Sequence, residues 1–127
     1  MSAPVLLDAS FLIALERETA SATVGPARQF LPSLRGRALV ISVVTVEEIL
    51  EGASNEARAF ATLHRFAVQG LHLAQARKCA LLQRRAARRL GENDAWLVAT
   101  AESIGADVVA SDRTAFERLG SRYLRFQ

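Results

Sequence analysis

The run Pro4-Val5-Leu6-Leu7-Asp8 decides the fold, because an unbroken apolar segment there ends on a carboxylate. A strand with one wet face alternates apolar and polar residues, whereas a strand covered on both faces is apolar throughout, the habit of parallel sheets. The same signature returns at 38–41 and 107–110, more weakly at 123–126, and as a short strand at best at 71–73. Between these runs the patterning predicts helices. One covers 11–15 with Ser10 as its N-cap; a weaker one covers 23–34 with Pro26 in a first turn, where a missing N–H costs nothing. Next come 42–50, closed by Gly52, and the amphipathic segment 57–67, in which Phe60, Leu63 and Ala67 share a face. A long helix is expected over 74–90. A nearly all-apolar one follows over 93–104, capped by Asn93 or Asp94 and stopped by Gly105, and a short one over 114–119. Strands alternating with helices specify an α/β fold with a parallel sheet and helices on both faces.

The composition narrows the class. A chain of 127 residues, 50% hydrophobic and 23% charged, is expected to form one domain over 1–127 with a real core, which excludes disorder. The longest stretch without Asp, Glu, Lys or Arg is 66–76, shorter than the roughly 20 apolar residues of a bilayer span. Asp8 interrupts the apolar segment nearest the N-terminus, so no secretory signal is expected and the cytoplasm is the default compartment. Cys79 is the single cysteine, which excludes an internal disulfide and a cysteine-based zinc site.

In parallel α/β sheets ligands lie at the carboxyl ends of the strands, so the acids there carry the functional argument. Asp8 follows the first strand and Asp112 follows the run 108–111. Asp94 begins the most apolar helix and shares a face with Leu97, Val98 and Ala101; Glu47 and Glu48 lie amid Val44, Val46, Ile49 and Leu50, and periodicity does not choose between them. Each acid also has a plainer reading: Asp94 as a helix cap, Asp112 as the start of a turn, either glutamate as a surface residue. As a set they are costly, because buried like charges repel and raise one another's pKa. Arginines or a hard divalent cation would relieve that cost, and Mg²⁺ or Mn²⁺ prefers such carboxylate and water oxygens. The chemistry such a site supports is phosphoryl transfer.

The charges of the chain sum to +3, with Lys78 the only lysine. If the helix over 74–90 is continuous, Arg77, Arg84 and Arg88 form one row and Lys78, Arg85 and Arg89 an adjacent one. Together they span an arc of roughly 140° opposite Cys79, Leu82, Ala86 and Leu90. That face suits a nucleic-acid backbone, an acidic partner segment or simple solvation. Trp96 reads as core rather than as a base-stacking platform, and His64 and His72 as isolated structural or surface residues.

The four acidic segments together resemble the PIN-domain family. Val5-Leu6-Leu7-Asp8-Ala9-Ser10-Phe11-Leu12-Ile13 is similar to the opening motif of PIN domains, an apolar strand ending in Asp followed by a small residue and Thr or Ser. The stretch 41–52 is similar to the second motif, whose register selects Glu48 over Glu47; Asn93-Asp94-Ala95-Trp96 matches the third, and Val109-Ala110-Ser111-Asp112 with Phe116 the fourth. The order holds over essentially the whole chain, and length and motif wording are most similar to VapC-type toxins of bacterial toxin–antitoxin pairs.

The resemblance implies a three-layer α/β/α sandwich with a central, mainly parallel sheet of four to five short strands. It also implies a Mg²⁺- or Mn²⁺-dependent ribonuclease, usually a homodimer, held inactive by a small antitoxin protein. Carried over, Asp8 and Asp94 would be principal metal ligands, Glu48 and Asp112 would complete the acidic site, and Ser10 would hydrogen-bond the metal shell or orient Asp8. RNA would be the substrate, with Arg77, Arg84, Arg85, Arg88 and Arg89 as candidate backbone contacts. Ala9-Ser10 stands where many members have Thr-Asn, and Ser111 where Thr is commoner.

Two other acid-site α/β families fit less well. A response-regulator receiver needs a lysine after a late strand, and Lys78 lies inside a helix; a haloacid-dehalogenase phosphatase needs Asp-x-Asp, where Ser10 takes the second place. The non-enzymatic alternative is a catalytically silent PIN-like binding module acting through a protein or RNA partner.

Overall fold

The computed structural model describes residues 2–111 and 113–127, so Asp112 lies outside the described residues. Strand β1 (Val5–Leu7) is wholly buried. Because successive side chains leave a strand on opposite faces, Val5 and Leu7 enter one core with Phe11, Leu12, Ala27 and Ile41. Leu6 enters the other, with Leu97, Val98, Val108 and Phe116. Around β1 stand β2 (Leu39–Ser42), β3 (Ala67–Gln69), β4 (Asp107–Ala110) and β5 (Tyr123–Arg125). They form one five-stranded sheet in the order β3-β2-β1-β4-β5, with every pair parallel. This is the expected α/β/α sandwich.

On one face pack α1 (Ala9–Ala20), α2 (Pro26–Phe30), α3 (Val43–Gly52) and α4 (Glu56–Leu63); α6 (Glu92–Ile104) covers the other, with α5 (Leu73–Arg85) packed against it. Short 3₁₀ segments, Leu31–Leu34 and Thr114–Arg122, precede β2 and β5. Among the described residues no helix is long and apolar enough to cross a membrane.

Several elements differ from the sequence expectation, each for a physical reason. The cap of α1 is Asp8, not Ser10: Asp8 has extended backbone and its carboxylate accepts the Ser10 N–H. The expected single helix over 23–34 becomes α2, with Pro26 in its first turn, and then a 3₁₀ turn containing Pro32. Glu18 anchors that start, because its buried carboxylate accepts the N–H groups of Gly25, Ala27 and Arg28. Burial raises the pKa of Glu18, but these bonds outweigh it and hold the carboxyl below the usual range. Helix α4 stops at Leu63, so Ala67 leaves the helix for β3, and 71–73 forms no strand.

The long helix expected over 74–90 ends at Arg85. Gln83 then accepts the Leu90 N–H and donates to the Leu90 carbonyl, at 2.9 and 3.1 Å, which turns the chain back while Leu90 packs with Cys79, Ala95 and Ala99. Arg88 and Arg89 therefore lie beyond the helix. Helix α6 starts one residue early, with Gly91 as its N-cap, so neither Asn93 nor Asp94 is the cap. Gly105 closes it in the left-handed conformation, φ 65°, as expected.

Candidate active site

The strand order positions the site. The chain steps outward from β1 through β2 to β3, then returns to place β4 on the other side of β1. Such a reversal opens a crevice at the carboxyl ends of the two central strands, since the connections leave them in opposite directions. Asp8 stands at that end of β1, and its N–H donates to the Val109 carbonyl of β4 at 3.0 Å.

Three of the four acids expected from sequence converge there. Asp8 is 3% exposed, and its Oδ2 accepts from both the amide and the hydroxyl of Ser10, at 3.1 and 2.5 Å. Ser10 Oγ in turn accepts the Ser111 N–H at 3.1 Å, so this residue orients Asp8 and joins it to the end of β4. Glu48 projects from α3, half-buried, whereas Glu47 is exposed. The start of α6 supplies Asp94, in a first turn whose dipole favours a negative charge. The fourth acid, Asp112, lies outside the described residues.

The electrostatics report how closely these groups sit. Burial pushes the Glu48 carboxyl above its ordinary value; a hydrogen bond from the Asn93 side chain pulls it down, and the charges of Asp8 and Asp94 push it up again. Burial likewise raises Asp94, with Arg113 opposing and Asp8 reinforcing. Arg113 reaches both acids, its Nε 3.8 Å from Asp8 Oδ2 and its Nη1 3.4 Å from Asp94 Oδ1.

Among the described residues no group of three His, Cys, Asp or Glu side chains is arranged to hold a metal ion as it stands, and the cation in contact with the acids is Arg113. The donor chemistry nevertheless fits a hard divalent cation. All the acid donors are carboxylate oxygens, and two of them are under-compensated for negative charge.

The sequence matches the PIN domain family over residues 5–121. The chain belongs to that family. Solved structures share this PIN domain's fold at low identity. A toxin–antitoxin complex from Klebsiella pneumoniae gives a TM-score of 0.74 at 23% identity, over 96% of this chain and 98% of that one. VapBC-1 from nontypeable Haemophilus influenzae gives 0.72 at 20%, over 96% and 97%. FitAcB from Neisseria gonorrhoeae gives 0.68 at 18%, over 89% and 91%. No curated protein matches the chain significantly.

Three residues of this PIN domain's site escaped the sequence reading: Arg113, Asn93 and Tyr123. The signal for Arg113 is its place beside a strand-end acid, and that for Asn93 its place before Asp94 in the third motif. Tyr123, the only tyrosine, carries no motif, yet its hydroxyl donates to the Ser111 carbonyl and accepts the Arg113 N–H.

The basic residues are dispersed more than a single helix face would allow. Arg77, Lys78, Arg84 and Arg85 are exposed on α5, and Lys78 and Arg85 share a shallow hollow with Arg118. Arg88 and Arg89 are exposed after the helix, and Arg89 pairs with Glu92 at 2.9 Å. Trp96 is half-buried against the Cys79–Leu90 cluster and donates to Glu92. His64 is exposed, edge-on to Phe60, and His72 is exposed at the start of α5, where its N–H donates to Gln75.

A second feature lies beside the acids. Helices α1, α3 and α4 enclose a groove of about 500 Å³ lined by Leu12, Ile13, Ile49, Leu63 and Phe66. Ile13, Ile49 and Arg58 also line the adjoining hollow, which extends to Glu48.

Proposed function

We propose that this PIN domain is a Mg²⁺- or Mn²⁺-dependent endoribonuclease acting as the toxin of a toxin–antitoxin pair. The observation that supports this most is the meeting of Asp8, Glu48 and Asp94 at the crevice between β1 and β4, where burial holds the last two above the ordinary carboxylate range. Asp8 and Asp94 would hold the metal, with Glu48 and Asp112 completing the acidic site. A bound divalent cation supplies charge neutralisation at the phosphodiester and lowers the pKa of a water.

The chain's own residues set the geometry. Ser10 fixes the rotamer of Asp8, and its bond to Ser111 ties the end of β4 to the same oxygen. Glu48, oriented by Asn93, is a stronger base than an ordinary carboxylate and is matched to accept a proton from the attacking water. The 3′ oxygen leaves, giving a 5′-phosphate product. The exposed arginines of α5 and Arg88 supply contacts to the RNA backbone.

For the partner, the solved structures of similar fold that carry the words toxin–antitoxin or VapBC support a small antitoxin. The apolar groove of α1, α3 and α4 is its proposed seat, because it is continuous with the hollow that reaches Glu48, so a segment extending along both would cover that carboxylate. A homodimer is proposed as the working assembly; Val68, Leu71 and Leu73, exposed at and after the edge strand β3, offer apolar area for a second copy.

The test incubates the protein and its Asp8→Asn variant with structured RNA in Mn²⁺, Mg²⁺ or EDTA. Metal-dependent cleavage that the variant lacks, leaving 5′-phosphate ends, is the expected result. A folded protein that leaves total cellular RNA intact under every metal would favour the catalytically silent binding module.

A further inference from the structure

We propose that Arg113 is the resident counter-ion of the acid cluster, a charge that a divalent cation must displace in order to bind between Asp8 and Asp94. The inference rests on the metal-dependent reading above and concerns what the chain does before metal arrives.

The backbone around Arg113 is fastened on both sides. Its N–H donates to the Tyr123 hydroxyl at 3.1 Å, and that hydroxyl donates to the Ser111 carbonyl. The Ser111 N–H runs to Ser10 Oγ, and Ser10 donates to Asp8. The start of the Arg113 side chain is thus fixed relative to Asp8 through β5 and α1. Its guanidinium, by contrast, is loosely held. The contacts of 3.8 and 3.4 Å to Asp8 and Asp94 exceed the roughly 2.7–2.9 Å of a close charge-assisted bond. Its side chain is 41% exposed, against 5% for Asp8 and 24% for Asp94.

Arg37 shows what a permanent structural arginine looks like in the same molecule. It donates to the Ala3 carbonyl through two nitrogens, at 3.0 and 2.8 Å, binds Asp107 at 2.5 Å and is 17% exposed. Arg113 has none of that closure. It offsets the charge of the acids and can swing to solvent, where its charge is hydrated, while Asp8 stays held by the amide and hydroxyl of Ser10. A divalent cation entering among the acids repels the guanidinium, so metal binding and Arg113 compete for one place.

The experiment measures Mn²⁺ binding without RNA, by electron paramagnetic resonance of the free aqua ion. The chains are wild type, Arg113→Gln, Arg113→Lys and Asp8→Asn, each checked for folding by thermal melting. Removing one charge at a half-exposed position is expected to tighten Mn²⁺ binding on the order of fivefold to tenfold in Arg113→Gln. Arg113→Lys, which keeps the charge, stays near wild type. Binding that Asp8→Asn abolishes but Arg113→Gln leaves unchanged or weakens would overturn the role of Arg113 and leave the metal site standing. No binding by either wild type or Arg113→Gln would overturn both readings. Should Arg113→Gln fail to fold, the Nε–Hε NMR signal of Arg113 in wild type, titrated with Mg²⁺, decides the matter. It moves toward the position of a solvent-exposed arginine if the side chain is displaced; a signal unmoved at saturating Mg²⁺ refutes the displacement.

Discussion

Asp94→Asn is expected to stabilise the metal-free protein at neutral pH, although it removes a carboxylate from the first turn of a helix. Burial of its carboxylate is the largest effect on Asp94 and outweighs the attraction of Arg113 at 3.4 Å, while Asp8, 3.8 Å from the same guanidinium, adds repulsion. The attraction of Arg113 offsets that burial penalty only in part, because a side chain 41% exposed is screened by water. Losing the dipole interaction costs a further 0.3–1 kcal/mol, roughly, which tempers the gain without reversing it, since the net effect of the fold is to raise the Asp94 pKa.

That direction fixes the pH dependence. The folded chain takes up the proton more readily than the unfolded one, so protonation of Asp94 adds stability that is fully present below the unfolded pKa, about 4, and is lost as pH rises through the higher folded value. The Asp94→Asn variant carries no such titration. In EDTA its melting temperature should exceed that of wild type by roughly 1–3 °C at pH 7.5, for a net gain of about half a kcal/mol. The gap should close as the pH falls through the raised value toward 4. A variant less stable than wild type at pH 7.5, or a difference constant from pH 4 to 8, would show that Asp94 serves the helix and that burial of its charge is not a cost to the fold.

Other consequences are read by simpler assays. Gln83→Ala removes the paired bonds to Leu90, at about 1 kcal/mol each, so urea unfolding should show a loss of about 2 kcal/mol and amide exchange at 86–90 should quicken. Phe11 is fully buried, with edge-to-face contacts to Phe126 and Phe30 at 5.0 and 6.3 Å. Phe11→Ala should cost about 3–5 kcal/mol, a large part of a typical domain's stability, measured by circular dichroism in urea. If RNA tracks α5, Arg84→Ala should lower the slope of log affinity against log salt by about 0.7 for a single strand. Arg89→Ala should change it less, because Arg89 is already paired with Glu92.

The sequence revealed most of the frame because burial on two faces leaves a one-dimensional trace. A strand such as β1 must be apolar at every position, and an acid ending it is legible as an acid at the edge of a sheet. Local chemistry also set the Pro26 start of α2 and the Gly105 stop of α6. Periodicity failed where side chains from elsewhere replace the backbone's own bonds. The pattern 79, 82, 86 and 90 is helical, yet the apolar residue Leu90 reaches the same cluster by a turn that Gln83 holds. Glu18 likewise caps α2 from α1, nine and ten residues away, a side-chain bond that periodicity does not report.

What the sequence alone determined is therefore the α/β architecture and which acids stand at strand ends, because apolar burial and helix stops act through neighbours in the chain. What only the tertiary structure decided is the site's internal order: Glu48 drawn close to the charges of Asp8 and Asp94, Ser10 bound to Asp8 and Ser111, and Arg113 set between an acid at the end of β1 and one in α6. Those relations depend on distances between segments far apart in the chain, 101 residues for Ser10 and Ser111, fixed by sheet order and packing.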